Sequence, residues 1–135
     1  AQGMDWIRSE APVTSNVPFT IIFEAEELSV NSSSLSVDDF SLSNGACSTH
    51  GNCCHVRKCQ VTNSCNFEED YCLWTNLGGE TDTQNVLAYY WKRYQGLQRT
   101  ASFAPVIDHT TQTVHGYYML VESSLADTGS LARLY

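Results

Sequence analysis

Cysteines are the densest group of chemically reactive side chains in this sequence. All six lie between residues 47 and 72, at Cys47, Cys53, Cys54, Cys59, Cys65 and Cys72. Thiols this close together either pair as disulfides in an oxidising compartment or bind a soft metal ion such as zinc, with His50 and His55 as further ligands. We expect disulfides, because the spacing lacks the two paired arms of a zinc site, and we therefore predict an extracellular, secreted or ectodomain location. The sequon Asn31-Ser32-Ser33 agrees with that location and predicts an N-linked glycan on Asn31.

Carboxylates offer a second kind of chemistry. Asp38, Asp39, Glu68 and Asp108 carry hard oxygen ligands of the type that calcium prefers, so they form a candidate calcium site. The structural alternative is that the Asp pair caps a turn and that Glu68 belongs to a solvated acidic run. Next to Asp108 stands His109, but the sequence contains no Gly-x-Ser-x-Gly or His-Glu-x-x-His motif. We therefore expect no enzymatic activity.

Aromatic side chains form a third group, around two basic residues. It contains Tyr89, Tyr90, Trp91 and Tyr94, with Lys92 and Arg93 between them. Tyrosine together with arginine is typical of protein interfaces. We predict that Trp91 fills the core and that Tyr89, Tyr90, Tyr94 and Arg93 contact a partner. A sugar-stacking surface is the alternative for these tyrosines.

Composition excludes several classes of partner. The chain has 135 residues, with 15 acidic and 7 basic side chains and a net charge of -8. Nucleic acids and anionic membranes attract basic surfaces, so neither is expected as a partner. No apolar run approaches the roughly 20 residues that span a bilayer, so direct membrane insertion is not expected. Because the sequence starts at Ala1 without a signal-peptide pattern, we expect a processed product or a window onto a longer protein.

Hydrophobic patterning predicts β structure. Residues 17–23 are β-branched and aromatic, and residues 34–42 alternate apolar and polar side chains until the Asp pair, where a bulge or bend is expected. Residues 117–122 and 131–135 are further predicted strands, with turns at 44–45 and 127–130. No apolar stripe has helical spacing. The expected fold is therefore an all-β antiparallel sandwich.

A family resemblance begins at Cys65, in the run CNFEEDYCLW. This run resembles the opening of a MAM domain, the extracellular module of meprins, neuropilins and receptor tyrosine phosphatases: a Cys, then Phe-Glu, then a second Cys with a Trp two positions later. Trp91 and residues 104–110, 116–122 and 132–134 resemble later elements of that family. The resemblance implies a jelly-roll-like sandwich.

The beginning of the chain resembles the closing end of the same module. Residues 6–8, 18–24 and 35–42, followed by Cys47, are similar to its last strands. The resemblance therefore implies a C-terminal part of one MAM-like domain (1–47), a Cys-rich linker (48–64) and the N-terminal part of a second domain (65–135). We prefer a junction between two tandem domains. A permuted unit, whose halves pack together, is the alternative.

The resemblance also implies that Cys65 pairs with Cys72 and pins the first strand beside Trp74. The family's partner for Cys47 is missing from the sequence. Vicinal Cys53 and Cys54 are expected to reach different partners, because a disulfide between neighbours is strained. Two local bridges among Cys47, Cys53, Cys54 and Cys59, or a bridge to another segment or chain, both stay open.

The functional expectation is a non-catalytic protein–protein interaction module. It would serve adhesion or lateral assembly in a matrix, coat or filament of tandem repeats, with other copies of itself or adjacent MAM domains as partners. The alternatives are an accessory or dimerisation domain of a secreted or membrane protease or receptor, and a glycan-binding jelly roll.

Overall fold

The computed structural model of this chain describes residues 5–27, 34–43, 61–77, 89–98, 104–122 and 129–135. Eight strands form in this part, and every strand pair is antiparallel. The 3₁₀ turn Gly96–Gln98 is the only helical element within these ranges. No helix among the described residues is long and apolar enough to cross a membrane. The prediction of an all-β antiparallel fold is thus confirmed.

The strands assemble into two three-stranded sheets and a two-stranded ribbon within the described residues. The bounds are β1 Phe23–Glu26, β2 Ser34–Val37, β3 Phe40–Ser43, β4 Val61–Cys65, β5 Asn76–Leu77, β6 Lys92–Gln95, β7 Tyr117–Glu122 and β8 Leu131–Leu134. The first sheet has the order β1-β8-β5 and the second sheet the order β2-β7-β6. Strands β3 and β4 pair as the ribbon.

Strands from the two outer pieces of the sequence pair with each other. Strand β1 lies along β8, where Glu24 faces Arg133 and accepts its Nε–H at 2.6 Å, and β2 lies along β7. Strands from residues 1–47 thus pair with strands from residues 65–135. Strand β4 also takes in residues 61–64, at the end of the predicted linker.

The Asp pair bends the chain as its pattern predicts. Strand β2 ends before Asp38, and β3 begins after Asp39, whose φ of 52° lies in the left-handed region. Asp tolerates that region better than most residues because its short side chain can hydrogen-bond locally, and here Asp38 Oδ1 accepts the Asp39 N–H at 2.9 Å. The bend carries β2 and β3 into different sheets.

The strand predicted at 17–23 is wrong for most of its length, because β1 begins only at Phe23. Residues 18–22 have strong β propensity, but they make no main-chain hydrogen bond to the described part of the chain. Propensity alone does not form a strand without a neighbour to receive its N–H and C=O groups. The turn at 44–45 lies outside the described residues, as does the first half of the turn at 127–130.

Strand β7 divides the interior into two cores. Met119 and Val121 pack with residues of the first sheet and with Trp91, whereas Tyr118 and Leu120 pack on the opposite side. Successive side chains of a strand point to opposite faces, so a strand that is buried throughout needs cover on both sides. The first sheet covers one face of the second sheet; Trp6 and Ala104 are among the residues that cover the other.

Trp91 is the largest fully buried side chain and links the two sheets. Its indole N–H lies 3.2 Å from the Phe23 carbonyl oxygen and 3.3 Å from that of Ala132, which both belong to the first sheet. A buried indole N–H needs such an acceptor. The prediction that Trp91 fills the core is confirmed.

Trp91→Ala should reduce the free energy of unfolding by about 3–5 kcal/mol, because it leaves a cavity and two carbonyls without their donor. Leu97→Ala is the control: Leu97 is 57% exposed, so its truncation should change stability by less than about 0.5 kcal/mol. Urea unfolding of both variants measures the difference. Equal effects of the two substitutions would contradict the role given to Trp91.

Candidate functional site

The predicted calcium ligands lie in two places at one corner of the fold, which we call the acidic corner (Asp38, Asp39, Glu68 and Asp108). The Asp pair occupies the bend between β2 and β3. Asp108 opens the loop that leads to β7, and Glu68 follows β4. Residues distant in sequence therefore converge through strand pairing.

Asp108 holds its own loop together. The side chain is fully buried and accepts the N–H and hydroxyl of Thr111, at 2.5 and 2.7 Å, and the Thr113 N–H at 3.0 Å. Gly116 leaves room for it, since a Cβ at that position would stand 2.1 Å from the Asp108 Cγ. Burial raises the pKa of Asp108, but the donors from Thr111 and Thr113 outweigh burial and hold that pKa below its ordinary value.

The Asp pair clamps the beginning of the same loop. Asp38 Oδ2 accepts the His109 N–H at 2.8 Å, and Asp39 Oδ1 accepts the Thr110 hydroxyl at 2.6 Å. The His109 Nδ1 also contacts Asp39 Oδ2. The segment Asp-His-Thr is therefore bound on one side by its own Asp108 and on the other by the β2–β3 bend.

The pKa of Asp38 is raised to about 6, mainly because burial disfavours its ionised form. Hydrogen bonds from the His109 and Asp39 N–H groups act in the opposite direction, and the neighbouring charge of Asp39 adds to the rise. Asp38 and Asp108 thus differ in the number of donors that each receives. Burial prevails at Asp38, whereas hydrogen bonding prevails at Asp108.

Glu68 joins the corner from the other side. Its Oε1 accepts the Tyr117 N–H at 3.0 Å at the start of β7. Burial is the largest cause that raises the pKa of Glu68; the nearby charge and hydrogen bond of Asp108 contribute in the same direction, while the Tyr117 N–H opposes them. Glu68 and Asp108 therefore form a second carboxyl pair.

These carboxylates do not form a calcium cage as they are arranged. Within the described ranges, no group of three or more His, Cys, Asp or Glu side chains is placed to hold a metal ion. Their oxygens instead accept hydrogen bonds from N–H and hydroxyl groups of the protein. For the Asp pair this agrees with the structural alternative, in which the two residues cap a turn. Calcium binding therefore stays a prediction without support from these contacts.

The aromatic group does not form one surface. Tyr94 is 3% exposed and packs against Tyr118 with ring centroids 5.7 Å apart, so the expectation that it contacts a partner is wrong. Alternation along β6 explains the result: Trp91 faces the first core and Tyr94 faces the second. Tyr89 and Tyr90 are half-buried, and Tyr89 packs against the first core.

Arg93 is occupied by contacts inside the protein. Its guanidinium donates to the carbonyl oxygens of Phe67 and Glu68 at 2.9 and 2.8 Å, and it lies 4.0 Å from the centre of the Tyr117 ring. A guanidinium with two carbonyl acceptors and an aromatic face serves as a bridge between chain segments. Arg93 joins β6 to the loop after β4, rather than standing free for a partner.

Cys65 and Cys72 form a disulfide with a Cα–Cα distance of 6.0 Å, as the resemblance implies. The bridge closes a short loop in which Phe67 is fully buried and has a φ of 57°. The disulfide thus holds an unfavourable backbone conformation beside the core. Cys47, Cys53, Cys54, Cys59 and the predicted glycosylation site Asn31 lie outside the described residues.

Trp6 has a role that sequence reasoning missed. Its indole donates to the Ile107 carbonyl oxygen at 2.9 Å, and its ring meets the edge of Tyr118 with centroids 5.3 Å apart. An open depression of about 390 Å³ beside it is also lined by Val106 and His109. A large aromatic residue in a polar N-terminal segment is the signal that could have identified this anchor.

Comparison with models of known protein families found no match, and neither did comparison with solved structures.

Asp38→Asn should change the dependence of stability on pH. The pKa of Asp38 is about 6 in the folded chain against an ordinary value of 3.8, so its stabilising contribution is complete below pH 3.8 and is lost as pH rises through 6. Asn stays neutral at every pH. The melting temperature of the variant, measured relative to that of the parent, should therefore rise as pH rises through this window. Melting scans from acid to neutral pH measure this. A constant difference, or a carboxyl titration midpoint near the ordinary value by NMR, contradicts the prediction.

Gly116→Ala should destabilise the fold by about 3 kcal/mol or more, because the new Cβ would displace the Asp108 carboxylate from Thr111 and Thr113. Gly129→Ala is the matched control. Its Cβ would meet no atom within 4 Å, so only the cost of its φ of 90° remains, about 1 kcal/mol. Urea unfolding compares the two, and an equal or larger loss for Gly129→Ala would count against the packing at Gly116.

Proposed function

We propose that this chain is a non-catalytic extracellular module that binds other proteins, for adhesion or for lateral assembly in a matrix, coat or filament. The observation that carries the proposal is the concentration of exposed apolar side chains on one segment, residues 7–22. Five of them lie there: Ile7 is 70% exposed, Val13 52%, Val17 64%, Phe19 51% and Ile22 53%. Exposed apolar side chains that follow one another along a segment offer a contact to another protein when they lie side by side.

The compartment is proposed from the disulfide between Cys65 and Cys72, because such bonds persist in oxidising surroundings. A glycan at Asn31 would agree with it. The finer fold, a jelly-roll sandwich made of MAM-like pieces, is proposed from the motif order in the sequence. It agrees with the antiparallel pairing of β1 with β8 and of β2 with β7.

A role without catalysis is supported by the contacts of His109. Its ring is paired with Asp39, and the nearby hydroxyl groups of Thr110 and Thr111 donate to carboxylates that hold the loop. These contacts fit a structural corner better than a nucleophile and its base, in which a hydroxyl donates to the imidazole. An accessory or dimerisation domain of a protease or receptor stays an alternative, as does glycan binding.

Beads coated with the whole chain should aggregate with each other or adhere to cells that display the native protein. Val13→Lys should weaken this adhesion, because it places a charge on the exposed apolar segment. Leu97→Lys, at an exposed leucine outside that segment, is the matched control and should leave adhesion unchanged. Beads that stay dispersed and bind no cells would contradict the proposed function. Binding to a glycan array alone would favour the sugar alternative.

A further inference from the structure

The open depression beside Trp6, which we call the Trp6 depression, combines apolar walls with a few polar groups. Its volume is about 390 Å³, and its lining consists of Asp5, Trp6, Val106, Ile107, His109 and Gln112. Ligand sites in proteins start at about 300 Å³ and place a small number of polar groups on mostly apolar walls. The Trp6 depression therefore has the size and composition of a site for a single side chain or a small molecule.

Two of its lining side chains are held in place by the protein itself. The Trp6 indole N–H donates to the Ile107 carbonyl oxygen at 2.9 Å. His109 is held from behind, because its main-chain N–H donates to Asp38 Oδ2 at 2.8 Å and its Nδ1 contacts Asp39. A site whose side chains are already ordered loses less conformational entropy when a ligand binds.

The side chains of the depression offer hydrogen-bond acceptors more than donors. The Trp6 N–H is occupied, and Gln112 Nε2 donates to the His109 carbonyl oxygen at 2.5 Å. Because His109 Nδ1 faces Asp39, the neutral ring carries its hydrogen on Nδ1 and leaves Nε2 as an acceptor. The acceptors that make no hydrogen bond within the described ranges are the Asp5 carboxylate, Gln112 Oε1 and His109 Nε2. A ligand that fits must therefore donate hydrogen bonds.

Charge around the depression favours a cation. Asp5 is exposed and belongs to its lining, while Asp38 and Asp39 stand directly behind His109. None of the described lysines or arginines is part of the lining. The chain as a whole carries a net charge of -8, which attracts positively charged partners over longer distances.

The aromatic ring and the apolar walls narrow the choice of cation. Among aromatic residues, tryptophan binds a cation on its face most strongly. Val106 and Ile107 are 42% and 40% exposed, so they offer apolar surface to a methylene stem. Arginine matches all of these features, because it has such a stem, a planar guanidinium that stacks on aromatic rings and several N–H donors in one plane. The lysine ammonium is a compact and strongly hydrated charge, which gains less from a ring and from separate acceptors.

We propose that the Trp6 depression binds an arginine side chain of a partner protein. This inference rests on the proposed function and names the chemistry that the partner presents. The methylene stem packs against Val106 and Ile107, and the guanidinium lies over the Trp6 ring. Its N–H groups donate to the Asp5 carboxylate and to Gln112 Oε1.

Titration of the isotope-labelled whole chain with N-acetyl-arginine amide, followed by NMR, tests the proposal. The Trp6 indole N–H and the main-chain N–H signals of residues 106–112 should shift together, with a Kd of about 1–10 mM because one exposed side chain makes all the contacts. N-acetyl-citrulline amide has nearly the same shape without the charge. This matched ligand should bind about tenfold more weakly, since it cannot form charge-assisted hydrogen bonds.

Asp5→Asn should weaken the binding of N-acetyl-arginine amide about threefold to fivefold, as expected for the loss of an exposed ion pair. Glu26→Gln is the matched control, because it removes the same charge from β1 and lies outside the lining of the depression. It should bind the arginine ligand like the parent. Both residues are exposed, so melting temperatures close to that of the parent show that the variants fold.

The proposal is overturned if the signals of the depression do not shift at about 50 mM N-acetyl-arginine amide. Citrulline that binds as tightly as arginine also overturns it, and so does an equal loss of affinity in Asp5→Asn and Glu26→Gln, which would reflect net charge alone. N-acetyl-lysine amide that binds as tightly as the arginine ligand would show that the assignment of arginine is wrong.

The proposed function fails by a different measurement. Parent-coated beads that stay dispersed and bind no cells contradict that function, whereas the titration reports on the depression alone. If parent beads adhere, beads coated with Asp5→Asn should adhere less. Equal adhesion of the two would show that the module binds proteins without an arginine in the Trp6 depression, which overturns the inference and leaves the proposed function standing.

Discussion

Every layer of the described fold depends on the burial of β7 on both of its faces. This strand pairs with β2 on one edge and β6 on the other, so its two neighbours come from distant parts of the sequence. Its residues from Tyr118 to Val121 are all 1% exposed or less. Such a strand has no polar face to turn towards water, and it is stable only between two covering layers. The first sheet and the segment anchored by Trp6 are both needed for that reason.

Local sequence patterns predicted the positions of strands better than they predicted which strands pair with each other. The alternation of residues 34–42 and its slip at the Asp pair were enough to find β2, β3 and the bend between them. Hydrophobicity at residues 17–22 has the same local character, yet no strand forms there. The difference is a neighbour: β2 has β7, whereas that segment has none in the described residues. Pairing at long range is not encoded in the pattern of one strand, so it could not be read from the sequence.

Contacts between distant residues also could not be predicted for the side chains of the candidate site. Tyr94 and Trp91 are close in sequence, but the alternation of β6 sends them into different cores. At the acidic corner, residue types singled out the carboxylates but did not predict that Asp39 would meet His109. They could not show whether each carboxylate would find donors of its own chain. Asp108 receives donors from Thr111 and Thr113, so its oxygens already have hydrogen-bond partners within the chain.

Open sheet edges and acidic charge have opposing effects in this protein. Exposed carboxylates on an edge strand discourage pairing with other chains, and Glu24 and Glu26 are placed in that way on β1. Arg133 neutralises Glu24 from the neighbouring strand, so the protection is incomplete. Immediately before β1 the charges stop, while the β propensity continues. The proposed protein contact rests on this uncharged, apolar continuation, where the like-charge repulsion of the remaining surface is absent.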